Sequence, residues 1–272
     1  MKKSIILTIF FSFSLISWTI LPPTPKKLKK VLREQWAFVP AGNAKLGETI
    51  QNVNEFYILK TEVSNLDYRT FLESIKAKNS VEYKKALPDT TVWSNKMSLN
   101  QSFVNQYFRY PGFGQYPVVG ISHNNALLYC KWLERTINAQ LESDEKIMVK
   151  LPSEMEWIRA ARGDNQNALY PWEGSDLQIK KGRNMANYKK LNPKESDYQG
   201  VIITSEVKSY PPNQFGIYQM SGNLAEMLDE PQKVKGGSWN MPANALKVDE
   251  SEMVNYPSNN VGFRPVLMVV TK

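Results

Sequence analysis

The chain has 272 residues, 42% of them hydrophobic and 11% aromatic, which suits one domain of roughly 200 to 250 residues with a sizeable core. Cys130 is the single cysteine, so no intramolecular disulfide can form, and packing, hydrogen bonds or metal must hold the fold. The formal charge of +8 is a tail effect: Lys2, Lys3, Lys26, Lys27, Lys29, Lys30 and Arg33 all precede the first acidic residue, Glu34, and the nearly neutral body that follows argues against a nucleic-acid partner, which needs cations gathered on a folded face.

Residues 4–21 (SIILTIFFSFSLISWTIL) are uncharged and follow Lys2 and Lys3, the basic and apolar regions of an export signal. No Ala-x-Ala cleavage pattern and no acylatable cysteine follows, so 1–21 reads as an export signal or as a retained N-terminal anchor, at the short end of what crosses a ~30 Å hydrocarbon layer. Residues 22–35 form a basic linker, whose 26–33 run suits an anionic membrane surface. Positive charge on both flanks leaves topology open. The expected location is exported, periplasmic or membrane-anchored at the cell envelope.

The domain proper is expected over 36–272. WAFVPAG, KLGE and NEFYILKTEV read as short strands punctuated by Gly42 and Gly47. A helix follows Ser64, with Asp67 in the capping-box position and Tyr68, Phe71, Leu72 and Ile75 on one face. The stretch 80–117 shows no period but carries Pro88, Trp93, Tyr107, Tyr110, Pro111 and Tyr116. It is too long for an ordinary connection and reads as a packed, irregular insertion. A second helix follows Ser122, its core stripe formed by Ala126, Tyr129, Cys130, Leu133 and Ile137. A third starts after Ser153, with Glu156 as capping-box partner and Trp157, Ala160 and Ala161 inward, and Gly163 stops it. From 164 onward, short strands and glycine-rich turns are expected.

Several segments, in order, resemble the formylglycine-generating enzyme and sulfatase-modifying-factor family. They are TEVSNLDYRTFL, YPVVGISHNNALLYCKWL, VKLPSEMEWIRAARG, LYPWEG, PPNQFGIYQMSGNLAEM, KGGSW and VGFRPV, together covering about residues 38–268. The resemblance implies a compact, irregular α+β fold related to C-type lectins, with few helices, short strands and many loops. The insertion LPDTTVW followed by FRYPGFGQYPVVG is most similar to the gliding-motility and type IX secretion lipoproteins of Bacteroidetes, although the acylated cysteine of those proteins is missing here.

The family's oxidases hold copper(I) between two thiolates, as its softness demands. By the resemblance those thiols fall on Met241 and Leu246, so copper is not expected. Other relatives bind iron through three histidines, whereas this chain has only His123, which reads as a surface or packing residue, and iron is not expected either. Cys130 reads as a core cysteine. One histidine and no Gly-x-Ser-x-Gly elbow leave no hydrolase triad. Calcium, which takes carboxylate and carbonyl oxygens, survives: the resemblance implies one site at Gln219, Gly222, Leu224 and Glu226 and another at Asn187, Tyr188 and Asp197. Gln219 stands where the family has Asp or Asn, and Ala225 and Met227 replace its two tryptophans. The alternative for Glu226 is an ion pair with Arg264, itself read as a structural fork. Gly236 and Gly237 read as a positive-φ turn rather than an anion cradle.

Three functions stay in play. The leading one is a catalytically degenerate domain that binds or scaffolds an envelope protein partner, in gliding or type IX secretion machinery. The first alternative is a metal-dependent oxidase with unconventional ligands. The second is a glycan-binding module that stacks Trp93, Trp172 or Trp239 on sugar faces, a reading from fold analogy.

Overall fold

The structure, a computed structural model, describes residues 32–94, 100–141, 146–178, 183–190 and 203–270. The segment 1–21, most of the basic linker and Asp197 lie outside the described residues. Among the described residues, no helix is long and apolar enough to cross a membrane.

An antiparallel four-stranded sheet organises the domain in the order β1 (Trp36–Val39), β4 (Phe56–Leu59), β10 (Val266–Val270), β5 (Lys146–Lys150). Its register sets Phe38, Tyr57, Leu267 and Val149 in one cross-strand row and Ala37, Ile58, Val266 and Lys150 in the next. Side chains alternate between faces, so the two rows look in opposite directions. Both are largely apolar, and both faces must be covered. On one side Trp36, Val149 and Leu267 join Tyr68, Phe71 and Tyr129 of helices α1 (Asn65–Lys76) and α4 (His123–Asn138). On the other, Ala37, Ile58 and Val266 join Trp157, Ile158 and Ala161 of α5 (Glu154–Arg162). Leu32, which the sequence placed in the linker, packs against the first of these clusters.

The three helices expected from the sequence form where the caps put them. Ser64 and Asp67 close a full capping box on α1, Ser122 accepts from the Asn125 backbone at the start of α4, and Ser153 and Glu156 close a second box on α5. Each box satisfies two backbone donors that a helix start leaves open. Gly163 ends α5 at φ +62, a conformation that carries no Cβ penalty in glycine. The tyrosine rings of Tyr68 and Tyr129 lie nearly parallel at 5.9 Å and fasten α1 to α4.

Two expectations need correcting. Residues 80–117 are packed, as read, but not irregular throughout: they include α2 (Ser80–Ala86), α3 (Asn100–Gln106) and 3-10 turns at Thr90–Trp93 and Pro111–Phe113. Helices of about two turns are too short to display a stripe. The insertion is anchored by Trp93 and Tyr107, whose rings meet at 4.7 Å, and by the Tyr107 hydroxyl at 2.7 Å from the Pro117 carbonyl. The strand β5 was not expected at all. It alternates exposed and buried residues, but it is only five residues long and just Leu151 and Pro152 separate it from the α5 cap at Ser153.

A hairpin of β2 (Gly42–Leu46) and β3 (Thr49–Val53) turns at Gly47 and packs under α5. The last sheet runs β8 (Ser251–Met253), β7 (Lys233–Lys235), β6 (Ala225–Met227), β9 (Val261–Gly262), with β6 and β9 parallel. β6 carries the polar centre of the molecule.

Candidate functional site

The loop leading into β6 is wound tightly. Gln219 at φ 52, Gly222 at φ 78 and Asn223 at φ 63 all occupy the left-handed region. A Cβ on Gly222 would lie 2.5 Å from the Asn187 carbonyl oxygen, so only glycine fits there. Asparagine tolerates the left-handed conformation best among side-chain-bearing residues, and Asn223 uses its amide fully. Its Nδ2 donates to Glu62 Oε1 at 2.8 Å, and its Oδ1 accepts from the Ser205 backbone at 2.6 Å and from Asn187 Nδ2 at 3.3 Å. Gln219 Nε2 donates to Glu62 Oε2 at 3.2 Å and to the Glu206 carbonyl at 3.1 Å.

Glu62 is thus a fully buried carboxyl held by two carboxamides. Burial pushes its pKa up to about 8; Arg264 and the Asn223 hydrogen bond oppose the shift, and Glu226 adds to it. Sequence reading did not single out Glu62. The available signal was a glutamate between β-branched or small neighbours, where a solvated face would be more polar.

Glu226 follows on β6. Its Oε1 lies 2.6 Å from Arg264 Nη2, and its Oε2 accepts from Trp157 Nε1 at 2.9 Å and from Arg264 Nε at 3.1 Å. Arg264 reaches on to the Leu59 carbonyl at 3.0 Å and the Tyr218 carbonyl at 2.8 Å. Both partners are essentially without solvent contact. This one guanidinium joins β4, the loop before β6 and β6 itself, as the planar fork allows, and Glu226 extends the connection to α5 through Trp157.

The positions expected to carry redox chemistry hold apolar or buried side chains. Met241 is half-buried beyond the Gly236–Gly237 turn, whose φ angles are 93 and 63. Leu246 is fully buried with Tyr170, Ala186 and Tyr188. Cys130 is buried on α4, and burial pushes its thiol up to about 12. His123 sits at the start of α4, buried, with Nε2 2.8 Å from the Leu228 carbonyl and its ring over Tyr256. Among the described residues no group of three His, Cys, Asp or Glu side chains converges. Trp93, one of the proposed sugar platforms, is 2% exposed and stacks under Trp239. Trp239 and Trp172 are half-buried, the latter stacked on Tyr170 at 4.9 Å.

The Sulfatase-modifying factor enzyme 1-like domain profile matches residues 22–269. The chain belongs to this family. It is 29% identical over 206 residues to the formylglycine-generating enzyme of Mus musculus, covering 65% of this chain and 50% of that protein. It is 30% identical over 175 residues to the inactive C-alpha-formylglycine-generating enzyme 2 of Bos taurus, covering 57% and 52%. The chain thus spans about half the length of the curated relatives it matches. The structure of PvdO from Pseudomonas aeruginosa superposes with a TM-score of 0.59 at 19% identity, over 85% of this chain and 93% of that one, which establishes the shared fold and nothing more.

The calcium positions implied by the family separate into two cases. Around Gln219, Gly222, Leu224 and Glu226 the carboxylate is not free for a cation, since both Glu226 oxygens are taken by Arg264 and Trp157, and Gln219 turns its Nε2 toward Glu62 while its buried Oε1 has no partner among the described residues. At the other position Asn187 and Tyr188 are buried, and Asn187 Oδ1 has no hydrogen-bond partner among the described residues. A buried acceptor without a donor fits a hard cation. Asn187 and the Tyr188 carbonyl, with Asp197, would hold it, and the ion would supply charge to pin the loops rather than redox chemistry.

Proposed function

We propose that this chain is a catalytically degenerate member of its family, an exported, periplasmic or membrane-anchored protein that binds or scaffolds an envelope protein partner, in the gliding or type IX secretion machinery that its insertion resembles. The observation that carries the reading is the replacement of both expected thiolate positions by Met241 and by Leu246, the latter sealed in an apolar cluster. Copper(I) chemistry needs soft thiolate donors there, and Cys130, buried with its thiol pushed to about 12, is no substitute nucleophile or ligand. Inactive proteins among the relatives of this fold are compatible with such a loss. Calcium at Asn187, Tyr188 and Asp197 has a structural role in this reading.

The test combines metal analysis with oxygen uptake. Purified full-length chain is expected to contain no stoichiometric copper or iron and to leave oxygen consumption at background with cysteine-containing peptides. Turnover with a bound transition metal would replace this reading by the oxidase alternative. Affinity capture from envelope fractions, repeated with residues 88–116 deleted, then asks which protein the chain holds.

A further inference from the structure

We infer that the groove between α1, α2 and α4 docks an acidic peptide segment of a protein partner; the inference rests on the binding-module reading above. The groove encloses about 660 Å³, with Trp132 and Leu128 on its apolar side and Lys78, Lys131 and Arg135 as its cations. Trp132 is a rigid surface, because its ring is wedged against Phe71 and Tyr129 at 5.4 Å each. The hydroxyls in the groove are already used: Ser74 donates to the Phe71 carbonyl and Thr136 to the Trp132 carbonyl. Recognition therefore falls to the cations.

Those cations are exposed, and none takes part in an ion pair among the described residues. Lys131 and Arg135 stand one turn apart on the same helix, an arrangement of like charges that weakens a helix standing alone. Among the described residues that line the groove, the one carboxylate is Glu82, which accepts from its neighbour Asn79 at 3.0 Å. An unpaired cationic rim on a nearly neutral domain complements an acidic ligand.

Shape decides which one. The lining on α4 runs from Leu128 to Thr136 and continues past the helix end to Ala139 and Gln140; the helical part alone spans roughly 12 Å at 1.5 Å per residue, a length that about four extended residues fill. A compact anion would use only part of it. A flat bilayer would meet its edges and leave Trp132 uncovered. An extended segment alternating acidic and apolar side chains presents carboxylates to the rim and an apolar group to the indole.

The probe is a fluorescein-labelled Glu-Leu-Glu-Leu-Glu-Leu peptide titrated with full-length chain in neutral detergent micelles and followed by anisotropy. Binding is expected to be saturable at 50 mM salt and to weaken at least tenfold at 300 mM, since rim charges are screened over that range. The exposed-charge variant K78Q/K131Q/R135Q is expected to lose at least tenfold in affinity with an unchanged circular dichroism spectrum, while K84Q/K85Q, altered outside the groove, retains it. Equal binding by the triple variant, equal binding of the Lys-Leu counterpart, or no binding by the wild type overturns the inference. So does binding only to phosphatidylglycerol vesicles, which would assign the face to a membrane. If the triple variant still captures the wild-type partner from envelope fractions, the groove is refuted and the binding role stands; if the wild type captures nothing, the binding role itself fails.

Discussion

Arg264 and Glu226 form an ion pair that water cannot rescue. A buried pair of this kind often contributes little over a well-packed apolar pair, because desolvation consumes the Coulombic gain, yet removing one partner strands the other and costs about 3–5 kcal/mol. Arg264→Met should therefore lower unfolding stability by about that amount in urea titrations, and Glu226→Gln, which keeps one acceptor oxygen but leaves the Arg264 charge buried without its counter-ion, should cost a comparable amount. Glu62, beside them, gives a pH signature. Its folded pKa is raised to about 8 from 4.5, so the folded state keeps a proton that the unfolded state gives up. Stability from this group is complete below pH 4.5 and is lost as pH rises toward 8. Denaturation midpoints should fall across that window. Glu62→Gln should flatten the fall, because the amide that replaces the carboxyl does not titrate, while its oxygen can still accept from Asn223 Nδ2. A pH profile unchanged by Glu62→Gln would mean that other groups carry the dependence.

At the scale of elements, helix starts were the most legible feature, because a cap is written in adjacent residues. Ser153 and Glu156 close their box at 3.3 and 2.7 Å, and Glu156 also takes Lys150 at 2.6 Å. Ser153→Ala should cost about 1 kcal/mol, read from the urea midpoint. What sequence did not reveal depends on distant partners. β5 is a strand because β10 pairs with all five of its residues, α2 is held by Ala86 and Tyr83 packing with Tyr68 of α1, and α3 is held because Phe103 meets the Trp93 and Tyr107 clamp. The clamp includes Gly120, at φ 72, whose carbonyl accepts from the Asp89 backbone at 2.7 Å; a Cβ there would approach the Asp89 carbonyl oxygen to 2.3 Å. Gly120→Ala should thus be worse than the lost cap, by roughly 2 kcal/mol or more, and should speed proteolysis within 88–116 before the rest of the domain opens.

Across the whole molecule, the fold was legible because its motifs serve the frame: capping boxes, the Gly-Phe-Arg segment that delivers Arg264, and the left-handed Gly222–Asn223 pair. The candidate site was less so. Glu226 reads the same in sequence whether it faces calcium or a guanidinium, and the choice depends on Arg264, 38 residues later. Chemistry and frame are separable in this architecture, which makes restoration of the thiols informative. Met241→Cys/Leu246→Cys would supply two sulfurs, but the second would replace a side chain packed among Tyr170, Ala186 and Tyr188, where burial in apolar surroundings holds a thiol protonated. The double variant should be less stable by about 1–3 kcal/mol from the cavity at Leu246, bind copper(I) no more tightly than wild type in competition with a chelator, and leave oxygen uptake at background. Tight copper binding with turnover would mean that the loss of two ligand atoms, rather than the repacking of the pocket around them, is all that separates this chain from an oxidase.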